Sequence, residues 1–213
     1  MNPGDSAEDL MALGALAASL SPDDLGRSLD AAAELLRTVA HADDCEIFLC
    51  EPEGGDLLLT ACCGSDREAF MERVRFQPGV GYPGLVAATG EPLVTRYLDR
   101  DRRFLRRRVT ECGIVSFVTA PLGAPLGALG CVSLAWRTRA APVERGAELL
   151  WKAAGLISIA VRASLLTARE LVGRAMDAAG SGLEARGRAC LEVIVNASRA
   201  RGGVLALYDP DGG

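Results

Sequence analysis

The sequence predicts an α+β fold, and three observations carry that prediction. Short apolar runs come in pairs joined by tight turns, Cys45–Cys50 with Leu57–Cys62 and Val115–Pro121 with Ala128–Trp136, the pattern of antiparallel hairpins. Segments with apolar residues every three to four positions stand before and between these pairs, as amphipathic helices do. After the last pair, Val143 to about Ala178 reads as one long helix.

Taken in order, Ala7 to Leu20 is apolar at helical spacing. Ser21 is a candidate cap for the next helix, with Pro22 at its first position and Asp23 and Asp24 in its first turn. That helix is expected to reach about His41, with Leu29, Ala32, Leu36 and Val39 as its buried stripe. The first hairpin turns at Glu51–Asp56, a Pro- and Gly-containing acidic stretch. A short helix over Asp66–Arg73 and a strand at Val74–Phe76 follow. The Gly/Pro-rich bend Gln77–Gly84 then leads into a small helix, Leu85–Thr89, stopped by Gly90. Pro92–Thr95 is a fourth strand, Arg100–Thr110 a charged helix broken by Gly113, and Gly123–Gly127 the tight turn of the final hairpin.

The terminal helix carries Leu150, Ala154, Ile157, Val161, Ser164, Ala168 and Leu171 at alternating steps of three and four. This is a coiled-coil-like seam, flanked by Lys152, Arg162, Arg169 and Glu170, and it predicts a parallel dimer. Packing of the same stripe on the chain's own sheet is the competing use.

Composition narrows the function classes. Apolar residues make up 49% and charged residues 24% of 213 positions, an ordinary globular balance. A net charge of −5 argues against a surface for nucleic acid. Met1 to Asp9 lacks the basic start of a secretory signal, and the longest apolar run, Ala153–Val161, is far short of the about 20 residues a membrane span needs. A cytoplasmic location with reduced thiols is therefore expected for the seven cysteines.

The end of the chain resembles its beginning. Leu191–Gly213 aligns without a gap on Ala33–Gly55, with six of 23 positions identical, among them Glu192 on Glu34, Pro210 on Pro52 and the closing Gly-Gly pairs. The repeat predicts the opening of a second module in a tandem arrangement. The expected organisation is an N-terminal helix over 1–24, a first module over 25–142, an exit and dimerisation helix over 143–180, and the start of the second module over 183–213. The last segment holds too little to bury a core alone, so it is expected to be poorly ordered or paired with another chain.

The motifs point to a family. Phe76-Gln-Pro-Gly-Val-Gly-Tyr-Pro-Gly-Leu-Val-Ala-Ala-Thr-Gly-Glu-Pro92 resembles the Gly-rich stretch of GAF domains. Asp99-Arg-Asp-Arg-Arg-Phe104 resembles the family's D-x-D-x-R-F element, and Gly113–Leu122 and Gly127–Leu134 its closing strands. The resemblance covers about residues 25–165. It implies an α/β sandwich: a central antiparallel sheet of about six strands, helices on one face, a small-molecule pocket on the other, and a long C-terminal signalling helix.

Several site readings follow. Gly79, Gly81 and Gly84 fit the spacing of a dinucleotide fingerprint, but Pro83 lies inside it, no βαβ unit follows and no acid is placed for a ribose, so NAD is not supported. Cyclic-nucleotide GAF domains carry an Asn-Lys-x-Phe-Asp-type motif, and the two asparagines here, Asn2 and Asn196, are in no such pair. The lone histidine, His41, sits at a helix C-terminus, which favours a dipole interaction over a heme ligand. Cys112 lies near the position of the bilin-bearing cysteine of the family but is followed by Gly113 instead of His. Candidate pocket residues are Phe76, Tyr82, Tyr97, Asp99, Arg103, Cys112 and Phe117.

Among the thiols, Cys50, Cys62, Cys63 and Cys112 are candidates for oxidant sensing or for a soft metal or iron–sulfur cluster, with the hairpin expected to bring Cys50 near Cys62. Buried structural cysteine is the plainer reading. Seven arginines fall between Arg96 and Arg108. They form either an anion-binding lid through Arg96 or Arg103, or a solvated helix face laced with Asp–Arg pairs.

The expected function is sensory. The module binds a small molecule or registers redox state and relays it through the long helix to an output domain of a larger, bacterial-style signalling or transcriptional regulator. No enzyme is expected. The alternatives are a thiol enzyme of the free methionine sulfoxide reductase type, and a degenerate GAF domain used only for dimerisation.

Overall fold

The computed structural model describes residues 3–51, 55–123 and 127–198. The elements are α1 (Pro3–Ser19), a 3-10 turn (Pro22–Asp24), α2 (Leu25–Val39), β1 (Asp44–Cys50), β2 (Leu57–Gly64), α3 (Arg67–Phe70), β3 (Arg75–Phe76), α4 (Gly81–Thr89), β4 (Leu93–Thr95), a 3-10 turn (Leu98–Arg100), α5 (Arg107–Glu111), β5 (Ser116–Leu122), β6 (Gly130–Trp136), α6 (Val143–Ala178) and α7 (Leu183–Ser198). The six strands form one antiparallel sheet in the order β3-β2-β1-β6-β5-β4. The chain divides into two compact units, residues 1–161 and 162–213.

Strand alternation sends every second side chain to each face. On one face Cys45 and Ile47 of β1, Val118 and Ala120 of β5, and Val132, Leu134 and Trp136 of β6 pack with Leu29 and Leu36 of α2 and Leu149, Leu150, Ile157 and Val161 of α6. Trp136 anchors this core: its indole N–H donates to the Ala40 carbonyl at 3.3 Å. The α2 stripe is buried as expected at Leu29, Ala32 and Leu36.

The ends of α2 differ from expectation. Ser21 makes no side-chain cap; instead its N–H donates to the Ser28 hydroxyl at 2.8 Å, one turn into the helix. At the other end His41 adopts φ 47°, and the N–H groups of His41 and Ala42 return to the Thr38 and Arg37 carbonyls. That is a Schellman closure with histidine where glycine is usual.

The α6 seam splits in two. Leu150, Ala154, Ile157 and Val161 are buried against the chain's own sheet and α2, so packing on the sheet wins over a dimer seam there. Ser164 is half-buried, Ala168 is exposed and Leu171 is 41% exposed. By length and composition α6 is apolar enough to cross a membrane, which its unbroken apolar run does not reveal. Its apolar side chains up to Val161 are the ones that build the core.

In the second unit, the end of α6 and α7 carry exposed (i, i+4) pairs, Glu170–Arg174 and Glu184–Arg188. The helix of the expected repeat is α7; its strand and turn lie outside the described residues.

Candidate ligand-binding site

The other face of the sheet is built differently. Register places Cys62 of β2 opposite Glu46 of β1, Glu46 opposite Ser133 of β6, and Ser133 opposite Thr119 of β5. All four alternate with residues of the helix-side core, so they form one polar row across the floor of this face. Glu46, Ser133 and Thr119 are buried, and the Thr119 and Ser133 hydroxyls hydrogen-bond each other at 3.1 Å.

A roof of aromatic side chains covers the row. Phe70 comes from α3, Phe76 from β3, Tyr82 from α4 and Phe104 from the segment before α5, while Phe48 and Phe117 rise from the sheet. Tyr82, Phe104 and Phe117 pack edge-on or tilted with centroids 5.4–5.8 Å apart. Phe48 meets Phe76 edge-on at 5.5 Å.

The Gly-rich bend sets the roof. A Cβ on Gly84 would lie 2.1 Å from the Gln77 carbonyl oxygen, and one on Gly81, at φ 66°, would lie 2.7 Å from the Phe76 ring. Only glycine allows the bend to close this tightly. As a result α4 starts at Gly81, earlier than the Leu85 expected, and ends at Gly90 in the left-handed conformation as expected.

The charged helix expected over Arg100–Thr110 is mostly absent; only Arg107–Glu111 is helical. Asp101 breaks it. Its carboxylate accepts the Arg103 N–H at 2.9 Å, the Arg103 guanidinium, and the Tyr82 hydroxyl at 2.7 Å. Those bonds hold the Asp101 carboxyl well below the usual carboxylate range, the Arg103 hydrogen bond most of all. Burial, and then the Asp101 contact, push the Tyr82 phenol up. The turn so made leaves Arg106 extended and aimed inward.

Arg106 is the centre of the site. At 1% exposure, its Nη1 and Nη2 donate to the two oxygens of Glu46 at 2.5 and 2.6 Å. Its guanidinium lies 4.8 Å from the Phe70 ring centroid, 5.3 Å from Phe104, 5.6 Å from Phe76 and 5.8 Å from Phe48. Among the described residues its Nε–H has no partner. A planar fork held by a carboxylate and surrounded by rings is what arginine supplies and lysine does not.

Of the residues singled out from sequence, Phe76, Tyr82 and Phe117 are in this site, and Arg103 and Cys62 at its edge and floor. Tyr97 is outside, 54% exposed with Arg100 and Arg139 over its ring. Asp99 takes the Arg139 guanidinium on the surface. Arg96 holds Glu144 at the start of α6. Neither Arg96 nor Arg103 faces the interior, so the lid is not built from them. Cys112 is exposed after α5.

The cysteines separate. Cys50 pairs with Leu57, and Cys62 lies five residues further along β2, opposite Glu46, so the hairpin keeps the two apart. The facing thiols are Cys45 and Cys63, on the helix side of the sheet. Their contact, then burial, holds the Cys45 thiol far above its ordinary range. Burial, with Glu46 adding to it, pushes Cys62 up to about 12. Among the described residues no three His, Cys, Asp or Glu side chains gather as a metal site. His41 is exposed, outside the site.

Sequence reasoning missed Glu46, Arg106, Phe48, Phe70 and Phe104. One signal was available: Glu46 is the lone charge inside the apolar run Cys45–Cys50.

A family model described as GAF domain matches residues 19–162, more than half of the chain. The chain belongs to the GAF domain family. Solved structures agree on the fold of this GAF domain. The free methionine-R-sulfoxide reductase of Neisseria meningitidis, in complex with its substrate, is similar at 17% identity and a TM-score of 0.65, over 78% of this chain and 95% of that one. The GAF domain of an Acinetobacter phosphoenolpyruvate-protein phosphotransferase is similar at 19% identity and a TM-score of 0.64, over 79% and 99%. A putative GAF sensor protein of Burkholderia vietnamiensis is similar at 17% identity and a TM-score of 0.57, over 74% and 96%. No curated protein matches the chain in sequence. At these identities the neighbours show the fold of the GAF domain and leave its ligand to its own residues.

Proposed function

We propose that this GAF domain is a cytoplasmic sensory module that binds a small molecule between the sheet and the α3–α4–α5 side, and passes occupancy to an output domain through α6. The observation that carries this reading is the contrast between the two faces of one sheet. The face under α2 and α6 is a continuous apolar core. The opposite face buries a charge pair and two hydroxyls, groups that contribute little or nothing to stability there and are the usual means of orienting a ligand.

Both faces share β5 and β6, so a ligand that shifts Thr119 or Ser133 shifts Val118, Ala120, Val132 and Leu134 beneath α6. A second link is direct: the Ser158 hydroxyl of α6 accepts the Gly123 N–H at the end of β5 at 2.8 Å. The ligand moves α6 only by the difference of its affinities for two arrangements of that helix. The test is a thermal-shift screen of a broad metabolite panel with the full chain, followed by the fluorescence of Trp151, an exposed residue of α6. A ligand that raises the melting temperature and changes the Trp151 emission supports the reading; a panel with no binder sinks it.

The proposed partner is a second copy of the chain. Leu10 and Met11 of α1 and Trp151 and Ile159 of α6 are 55–77% exposed, an unusual number of large apolar side chains on helices for a free surface. Light scattering that gives a dimer for the wild type and a monomer for Ile159→Arg supports this; a monomeric wild type removes it.

The enzyme reading rests on Cys62, a thiol on the floor of the site. Its high pKa leaves almost no thiolate near neutral pH, the opposite of an activated nucleophile. Turnover of free methionine sulfoxide with a thiol reductant would overturn the sensory reading.

A further inference from the structure

We infer that the ligand is a small zwitterion, carrying one carboxylate and one ammonium group as a free amino acid does; this rests on the sensory reading above. The Glu46–Arg106 pair sums to zero charge and is closed off from water. A simple anion seated on Arg106 leaves the site with one negative charge in excess, and displacing Glu46 strands its carboxylate without a partner. A simple cation on Glu46 does the same to the guanidinium. Buried, uncompensated charge is the costliest of these states. A ligand bearing both charges keeps every charge of the site matched.

The donors and acceptors fit the same ligand. Glu46 occupies only the two Nη groups of Arg106, so the Nε edge of the guanidinium still offers an unpartnered N–H to a second carboxylate. An ammonium has three protons to place. Glu46, the Ser133 hydroxyl beside it, and the Thr119 hydroxyl bonded to Ser133 one strand further on are acceptors in one row on the floor. The surrounding phenyl rings, Phe70 and Phe104 foremost, take the hydrocarbon remainder.

The experiment is calorimetric titration of the full chain with each of the twenty common L-amino acids, and then, for the best binder, with its amine lacking the carboxylate and its acid lacking the ammonium. The expected result is binding of at least one amino acid, with both single-charge analogues at least about tenfold weaker. The variant Glu46→Leu/Arg106→Met, which removes both charges together, is expected to fold and to lose the binding. If an analogue binds as well as its amino acid, or the double variant retains binding, the zwitterion is wrong. If no amino acid binds while another metabolite does, the zwitterion falls and the sensory reading stands. If nothing binds, both fall.

Discussion

Glu46 and Arg106 face each other through two hydrogen bonds of 2.5 and 2.6 Å, and neither side chain is more than 1% exposed. Sixty positions separate them along the chain, yet each is the other's counter-ion. Taking away one partner leaves the other buried and unpaired. Arg106→Met alone is therefore expected to lower the unfolding free energy by about 3–5 kcal/mol, whereas Glu46→Leu/Arg106→Met returns most of it. Urea unfolding of the single and double variants measures the coupling.

Asp44, beside Glu46 on β1, predicts a pH dependence. Its Oδ1 accepts the Asp66 N–H at 2.8 Å, its Oδ2 has no partner among the described residues, and burial pushes the carboxyl up to about 6 from an ordinary 3.8. A raised carboxyl pKa means the folded state holds the proton more tightly than the unfolded one. This residue therefore costs nothing well below pH 3.8, and its cost grows as the pH rises to about 6 and stays constant above. Asp44→Asn is expected to be more stable than wild type at pH 7 by about 1–2 kcal/mol, with the gap closing near pH 4. Melting curves of both proteins between those limits decide it.

Gly146 makes room for Trp136. A Cβ on Gly146 would stand 2.8 Å from the indole ring, which is fixed between α2 and the sheet. Gly146→Ala is expected to lose about 1–3 kcal/mol by overpacking despite alanine's better helix propensity. Chemical denaturation, followed by tryptophan emission, measures the loss.

His41 predicts a gain. Its left-handed conformation at the end of α2 is one that glycine adopts without strain. His41→Gly is expected to stabilise the domain by about 0.5–1 kcal/mol, since no side chain among the described residues hydrogen-bonds the imidazole. A fall in melting temperature would contradict it.

The thiols are expected to differ sharply in alkylation at pH 8. Cys112 is exposed and reacts first, although burial nudges its pKa upward. Cys45 and Cys131, buried and held far above the ordinary thiol range, react only on unfolding. Mass mapping of iodoacetamide adducts over time gives the order.

Much of the fold was legible in local pattern. The antiparallel pairing of β1 with β2, the α2 stripe and the stop at Gly90 each depend on residues close to one another in the sequence. The charged stretch around Arg100 was misread because helical periodicity cannot weigh Asp101, whose carboxylate is bonded to Tyr82 nineteen positions earlier. Tyr97 and Tyr82 carry the same side chain in the same part of the sequence, and only the closure of the bend at Gly81 and Gly84 sends one inward and leaves the other in water.

The sequence by itself determined the α+β layout of paired strands and amphipathic helices, because hydrophobic period and glycine placement are local instructions the backbone reads directly, and its motifs supplied the resemblance to GAF domains. Only the tertiary structure decided which charges are buried. Among seven neighbouring arginines, one is selected by a glutamate on a distant strand. A buried ion pair exists by virtue of its partner and its solvent exclusion, and neither is written in the residues beside it.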